Sequence, residues 1–179
     1  MRAARRTLTE LLVTGRVAPL DVERRLEERP PPRHRRALLA AVQLVRLGVQ
    51  SVLEECYAVD VERAHGLPPG HRQGAFAVDG VTLYEDVTYD HAGAALTIRL
   101  DGRTHLLPGV AFRDRRRDNA AELAGRSRLV YGWRDMTADV CGAAREVAAV
   151  LQRRGWTGAP HCCPRCAGRG DWPPPGREW

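Results

Sequence analysis

The sequence predicts an α/β or α+β protein, a β-sheet flanked by helices, and three observations carry that prediction. Up to about residue 70, apolar residues recur at the spacing of one helix face. From about residue 75 they alternate with a period of two among β-branched neighbours, as strands do. A helical pattern, a strand pattern and a second helical pattern then follow in turn, an order that lays helices against a sheet.

Thr7 to Val13 supplies a short helical stretch, and a charged helix runs from Leu20 to Glu28 with Asp21 as its N-cap. Pro30-Pro31-Pro32 ends it, because proline lacks the amide donor and clashes with the preceding turn. Leu38, Leu39, Val42 and Val45 give His34 to Leu47 a helical period, and Gly48 stops it. Ser51 then opens a helix to Arg63, with Ser51-x-x-Glu54 in the spacing of a capping box. Gly66-Leu67-Pro68-Pro69-Gly70 closes this half.

Val78 to Tyr89 and Ala94 to Leu100 read as strands of a meander, with turns at Asp79-Gly80 and His91-Ala92-Gly93. Phe112 to Ala124 follows as an Arg-rich helix and Arg128 to Trp133 as a strand. A last helix, Val140 to Arg154, ends at Gly155, which suits a left-handed C-cap. The Pro/Gly-rich tail around Pro173-Pro174-Pro175-Gly176 is expected to fray, and no internal repeat is visible.

At 179 residues and 19.9 kDa the chain has the size of one domain with room for a small appendage. Hydrophobic residues at 44% and charged residues at 28% exclude wholesale disorder. No apolar run reaches the roughly 18 residues of a membrane span. Met1-Arg2-Ala3-Ala4-Arg5-Arg6 leads into Thr-Leu-Thr-Glu rather than an apolar core, so no secretion signal is read and a soluble, cytoplasmic protein is expected. All 28 basic residues are arginine, which excludes Schiff-base and P-loop lysine chemistry. Codon bias in a GC-rich genome accounts for the missing lysine but not for the net charge of +6, and that charge favours a polyanionic partner, DNA first.

Five cysteines, an odd number, argue against a disulfide framework. Cys163-Pro-Arg-Cys166 forms a C-x-x-C knuckle next to His161 and Cys162, with Cys141 upstream. Cys141, Cys163, Cys166 and either His161 or Cys162 have the donor chemistry of a tetrahedral zinc site. Unliganded thiols on a loose tail are the competing reading.

Between Tyr84 and His105, Asp86 lies in one strand and Asp101-Gly102 ends the next, with His105 four residues on. Acidic groups converging from strand ends are what a hard cation such as Mg²⁺ needs, and a metal so held activates water at a phosphodiester. An Asp-Gly after a strand is also an ordinary turn.

Several short motifs appear here in order: Ser51-Val-Leu-Glu54, His65-Gly-Leu-Pro68, Gln73, Asp86, Leu100-Asp-Gly-Arg103, His105 and Arg117-Asp-Asn119. Gly132-Trp-Arg-Asp135 and Arg154-Gly-Trp156 complete the series. Together they resemble the actinobacterial proteins with a domain similar to the very-short-patch-repair endonuclease, within the restriction-endonuclease-like PD-(D/E)XK superfamily. The likeness spans about residues 35 to 166. It implies an α/β restriction-endonuclease-like core, a central mixed sheet of about four strands flanked by helices. It divides the chain into a helical N-terminal segment at 1–48, an endonuclease-like domain at 49–158 and a Cys-containing tail at 159–179. The first segment resembles the end of a linker that, in longer relatives, follows a winged-helix-like domain.

The resemblance also implies an active site of Glu54, Asp86 and Asp101, with Asp86 and Asp101 binding Mg²⁺ and Gln73, Arg99 and His105 as accessory residues. Arg103 joins Arg113, Arg115, Arg116 and Arg117 as the expected nucleic-acid contacts; the last four, within five positions, also read as a solvated helix face. Two positions depart from the pattern. Arg99 stands where relatives carry a metal-binding Glu, and Val130 replaces an expected strand arginine. Period two puts Arg99 and Asp101 on one side of the strand. A guanidinium about 4 Å from the metal position turns attraction into repulsion worth up to about 4 kcal/mol at an effective dielectric near 20. Paired with Asp86 or Asp101, the same guanidinium would fill the pocket as an internal ion pair. Glu54 has a capping role beside its catalytic one. Trp133 and Trp156 read as core residues.

Three functions follow as expectations: a metal-dependent DNA endonuclease of doubtful activity, a nucleic-acid-binding relative without hydrolysis, and a small zinc-stabilised interaction protein.

Overall fold

In a computed structural model, which describes residues 2–28, 33–78, 81–101 and 119–167, the chain forms two units, Met1–Cys56 and Tyr57–Trp179. Among the described residues no helix is long and apolar enough to cross a membrane.

The first unit holds helices α1 (Arg2–Val13), α2 (Pro19–Glu28), α3 (Arg35–Arg46) and α4 (Val52–Cys56). α3 packs against α1 and α2, and α1 also meets α4. The apolar stripes read from the sequence supply the interior, with Leu12, Leu26, Ala41, Val42, Leu44 and Leu53 all buried. α2 begins one residue earlier than expected, because the fixed φ of Pro19 suits a first helical position. The Ala18 carbonyl accepts the Asp21 and Val22 amides, so Asp21 is not the N-cap. It lies in the first turn and pairs instead with Arg24 at 2.8 Å. Arg46 joins α3 to Glu23 of α2 at 2.7 Å, and Arg5 forms a buried ion pair with Glu55.

The second unit opens with a π-helix, Tyr57–Arg63, in which Tyr57, Ala58, Asp60, Val61 and Glu62 are all buried. Four strands follow: β1 (His71–Val78), β2 (Val81–Thr88), β3 (Leu96–Asp101) and β4 (Ser127–Gly132). They form one mixed sheet in the order β1-β2-β3-β4. The first three are antiparallel, with Val87 opposite Ile98, while β4 runs parallel to β3, with Ile98 opposite Leu129. A parallel neighbour needs a crossover. Its described part is helix α5 at 119–123; most of the expected Arg-rich helix and the Asp79-Gly80 turn lie outside the described residues. The chain then forms α6 (Trp133–Ala138) and α7 (Val140–Arg153).

Other elements differ from the sequence reading as well: the helix expected from Ser51 to Arg63 becomes a π-helix at Tyr57. β1 starts at His71, ahead of any alternation, and Gly132 ends β4 one residue early so that Trp133 opens α6. Gly155 does terminate α7, at φ +106°, while the Trp156 amide donates to Leu151 O at 2.9 Å and Gly155 to Gln152 O at 3.1 Å. This is a Schellman cap, and a side chain at φ > 0 would strain it.

One sheet face carries Val87, Leu96, Ile98 and Tyr131, all buried, and α7 lies against both β4 and the π-helix. Tyr131 donates to Glu146 of α7 at 3.0 Å and stacks on Tyr57 of the π-helix with centroids 6.3 Å apart. Under this layer a polar network joins the π-helix to β1 and to the end of β2. Glu62 accepts the Gly70 amide at 2.9 Å and the Tyr89 hydroxyl at 2.7 Å, and pairs with Arg72. The Tyr57 and Tyr89 hydroxyls meet at 2.8 Å, and the Arg72 guanidinium lies 5.7 Å from the Tyr57 ring centroid. Burial raises the Glu62 carboxyl above its usual range even though Arg72 pulls it down. Gly70 has no room for a side chain, since a Cβ would fall 2.1 Å from Val87 Cγ1.

Glu62→Ala leaves the Arg72 charge buried without its partner and is expected to cost about 3–5 kcal/mol. Tyr89→Phe removes the hydroxyl that bonds the Glu62 carboxylate and meets the Tyr57 hydroxyl, leaves the Glu62–Arg72 pair in place, and is expected to cost less, roughly 1.5–3 kcal/mol. Urea unfolding of the two variants checks the order; a smaller loss in Glu62→Ala contradicts it. Asp90, next to β2, accepts two 2.7 Å bonds from Arg126, which hold its carboxyl below the usual range. This contribution is complete above the unfolded value of roughly 3.9 and is lost as pH falls through the folded one. Asp90→Asn should flatten that acid limb in a stability-against-pH series, and an unchanged limb counts against the pair.

Candidate functional site

The sequence-predicted carboxylates have specific local surroundings. In the first unit, Glu54 sits in the first turn of α4 and forms a variant of the capping box in which its carboxylate takes the Gln50 rather than the Ser51 amide: Ser51 Oγ accepts the Glu54 amide at 3.1 Å. The Glu54 carboxylate reaches back, one oxygen accepting the Gln50 amide at 3.0 Å and the other the Ser51 hydroxyl at 3.2 Å. An acidic side chain there also faces the positive end of the helix.

In the second unit, Asp86 marks a break in the sheet. β1 pairs with β2 on either side of it, Arg72 with Val87 and Gly74 with Glu85, while Gln73, opposite Asp86, takes the left-handed backbone at φ +52°. On its other flank the described β2–β3 pairing reaches Val87 with Ile98 and goes no further. A strand whose ladder lapses leaves amides in need of acceptors, and Asp86 Oδ2 accepts the Leu100 amide at 2.6 Å. Asp86 therefore lies beside the end of β3, where Arg99 and Asp101 flank Leu100 on a strand that stays in register with β4. Val130 is the β4 partner of Arg99, so the two positions singled out in the sequence are neighbours. Arg103, His105, Arg113, Arg115, Arg116 and Arg117 lie outside the described residues.

The cysteines form a better-defined centre. His65, Cys141, Cys163 and Cys166 place one ligand atom each within 4.8 Å of one another, the only such group of three or more among the described residues. Cys141 Sγ is 3.6 Å from Cys163 Sγ, which is 3.7 Å from Cys166 Sγ, and Cys166 Sγ is 3.8 Å from His65 Nε2. These are separations of free thiols, since a disulfide would bring two sulfurs to about 2.05 Å.

Each ligand is positioned locally. His65 ends the short α-helical continuation of the π-helix at 64–65, and its Nδ1 lies 3.0 Å from the Val61 carbonyl, which makes Nδ1 the protonated nitrogen and leaves the Nε2 lone pair for the cluster. Burial holds the imidazole below its usual range, with nearby His161 adding to the effect. Cys141 lies in the first turn of α7, where Asp139 caps the helix by accepting the Gly142 amide at 3.0 Å. Cys163 and Cys166 belong to a tight knuckle: the Arg165 amide points at Cys163 Sγ at 3.4 Å and the Cys163 amide at Cys166 Sγ at 3.2 Å. Burial and the adjoining Cys163 and Cys166 thiols push Cys141 up to about 12, and burial and Cys163 raise Cys166. Thiols packed this way do not ionise together without a cation, and a bound cation reverses that preference.

The histidine of the centre corrects the sequence reading. His161 is exposed, its Nδ1 3.3 Å from the Cys162 carbonyl, and its ring covers Gly66, where a Cβ would fall 2.7 Å from His161 Cδ2. Its amide donates to the His65 carbonyl at 2.9 Å, so the residue expected as a ligand lies alongside the residue that takes the place. Cys162 touches Cys166 through its side chain but is not one of the four mutually close ligands. His65 carried no metal signal in the sequence, because its partner Cys166 is 101 residues away. Compared with models of protein families, with curated proteins and with solved structures, the chain matches none.

Asp86→Ala removes the acceptor of the Leu100 amide and is expected to cost about 1–3 kcal/mol. Asp86→Asn, which keeps an oxygen there, should retain most of it. Chemical denaturation with and without Mg²⁺ checks the assignment; equal stability of wild type and Asp86→Ala contradicts it.

Proposed function

We propose that this protein binds DNA through the sheet-bearing unit Tyr57–Trp179 and is an endonuclease-like protein whose metal-dependent hydrolysis is suppressed at Arg99. The observation that carries the reading is the lapse of the β2–β3 ladder at Asp86, beside the strand end that bears Asp101. Two carboxylates on adjacent strands where the strands part are the hard oxygen ligands Mg²⁺ requires. With a bound Mg²⁺, such a pair would supply Lewis-acid stabilisation of the phosphodiester and an activated water. Arg99, two residues before Asp101, adds a permanent positive charge to the same strand end, and a guanidinium does not titrate away. Phosphate contacts need only the basic surface, so DNA binding survives the loss of hydrolysis.

The reading includes a second metal. Thiolate and imidazole donors without carboxylate or carbonyl oxygen select Zn²⁺ over Mg²⁺ or Ca²⁺, and Zn²⁺ is the ion proposed for the Cys/His cluster.

A plasmid-nicking assay with Mg²⁺ or Mn²⁺ tests the hydrolytic part. Wild type is expected to leave the plasmid intact, and Arg99→Glu to gain Mg²⁺ binding by calorimetry. Nicking by wild type that Asp101→Ala abolishes overturns the suppression; no gain in Arg99→Glu overturns the carboxylate site. Affinity for a random duplex should fall steeply with salt, and a flat response removes the phosphate contacts.

A further inference from the structure

We infer that the zinc centre is a closed structural site with His65 as its fourth ligand, and that the ion staples the segment 157–167 to the rest of its unit. The inference rests on the zinc assignment above and is independent of DNA binding. For Zn–S bonds of about 2.3 Å, a tetrahedron has S···S edges of about 3.8 Å, and with Zn–N of about 2.0 Å its S···N edges are about 3.5 Å. Two S···S edges of 3.6 and 3.7 Å and an S···N edge of 3.8 Å are close to these values, and all four ligand atoms lie within 4.8 Å of one another. Four protein ligands leave no open position for water or substrate, which separates a structural site from a catalytic one.

The surroundings are those of a prepared metal site. The Nδ1 proton of His65 is directed to a backbone carbonyl, and backbone amides point at the Cys163 and Cys166 sulfurs. Three thiolates around a divalent cation leave one net negative charge, and Arg145 and Arg165 line the hollow that adjoins Cys141 and Cys166.

The segment itself supplies the reason for a staple. From Thr157 to Ala167 only Cys163 and Cys166 are buried. With only these two small side chains sunk in the core, hydrophobic burial contributes little to holding this stretch in place. Its other contacts are few: the His161 amide to the His65 carbonyl, the His161 ring over Gly66, and a 3.5 Å contact from Gln152 to Gly158 O. Metal bonds from Cys163 and Cys166 to His65 and Cys141 join this stretch to the end of the π-helix and to the start of α7.

The test measures zinc in protein purified without added metal, together with tryptic cleavage after Arg165. Wild type should carry about one zinc per chain, and Arg165 should be protected until the ion is stripped with a chelator. His65→Ala should lose the zinc and the protection together, whereas His161→Ala and Cys162→Ser should keep both. Far-UV circular dichroism keeps folding separate from metal loss. His65→Cys, loaded with Co²⁺, should hold one ion with a stronger thiolate-to-metal charge-transfer band than wild type. Wild type without zinc ends the zinc assignment itself. Zinc retained in His65→Ala but lost in His161→Ala or Cys162→Ser overturns this inference while the assignment stands. An unstrengthened band in His65→Cys overturns the ligand, and an Arg165 bond equally protected with and without the ion overturns the staple.

Discussion

Glu62 brings a carboxylate into the interior of the second unit, and the elements around it are arranged to compensate it. Removing such a group from water costs several kcal/mol unless charge and hydrogen bonds replace the solvent. Here the Gly70 amide, the Tyr89 hydroxyl and the Arg72 guanidinium do so, drawn from the loop before β1, the residue after β2 and β1 itself. One buried anion thereby ties the π-helix to two strands of the sheet. The same helix carries Val61, whose carbonyl orients His65, so the geometry of the Cys/His cluster depends on how the π-helix is seated.

The second unit sorts its two groups of candidate ligands by donor chemistry. The sulfur and imidazole cluster is compact and made of sulfur and nitrogen donors, with His65, Cys163 and Cys166 buried and Cys141 half-buried, which suits a borderline-soft ion. The carboxylates at the sheet break differ in kind: one Asp86 oxygen is already committed to the Leu100 amide, and the adjoining residue on β3 is an arginine. An oxygen spent on the backbone gives Asp86 a structural reason to be acidic, with or without a metal. Glu54 shows the same economy, since its carboxylate finishes the start of its own helix.

Much of the fold was legible because it depends on neighbours in the chain. Helical apolar stripes, the glycine stop after α7 and the capping box between Ser51 and Glu54 are decided within a few residues. β1 was less legible: His71-Arg72-Gln73-Gly74 shows no alternation, and its pairing is imposed by β2 across the hairpin. Asp21 was misplaced because both a cap and a first-turn acid suit that residue, and Pro19 decided where the helix begins. Three of the four cluster ligands, Cys141, Cys163 and Cys166, could be named from residue type and the knuckle spacing.

By itself the sequence determined the residue chemistry: a basic, lysine-free chain with an odd set of thiols, and an α/β order of elements. Only the tertiary structure decided which histidine joins the thiols, because His65 meets Cys166 where the segment after α7 folds back along it, the His161 amide donating to the His65 carbonyl, and not by any local rule. It also decided where the sheet breaks. A ladder lapses according to the backbone of two adjacent strands, and the left-handed turn of Gln73 opposite Asp86 has no sequence signature of its own.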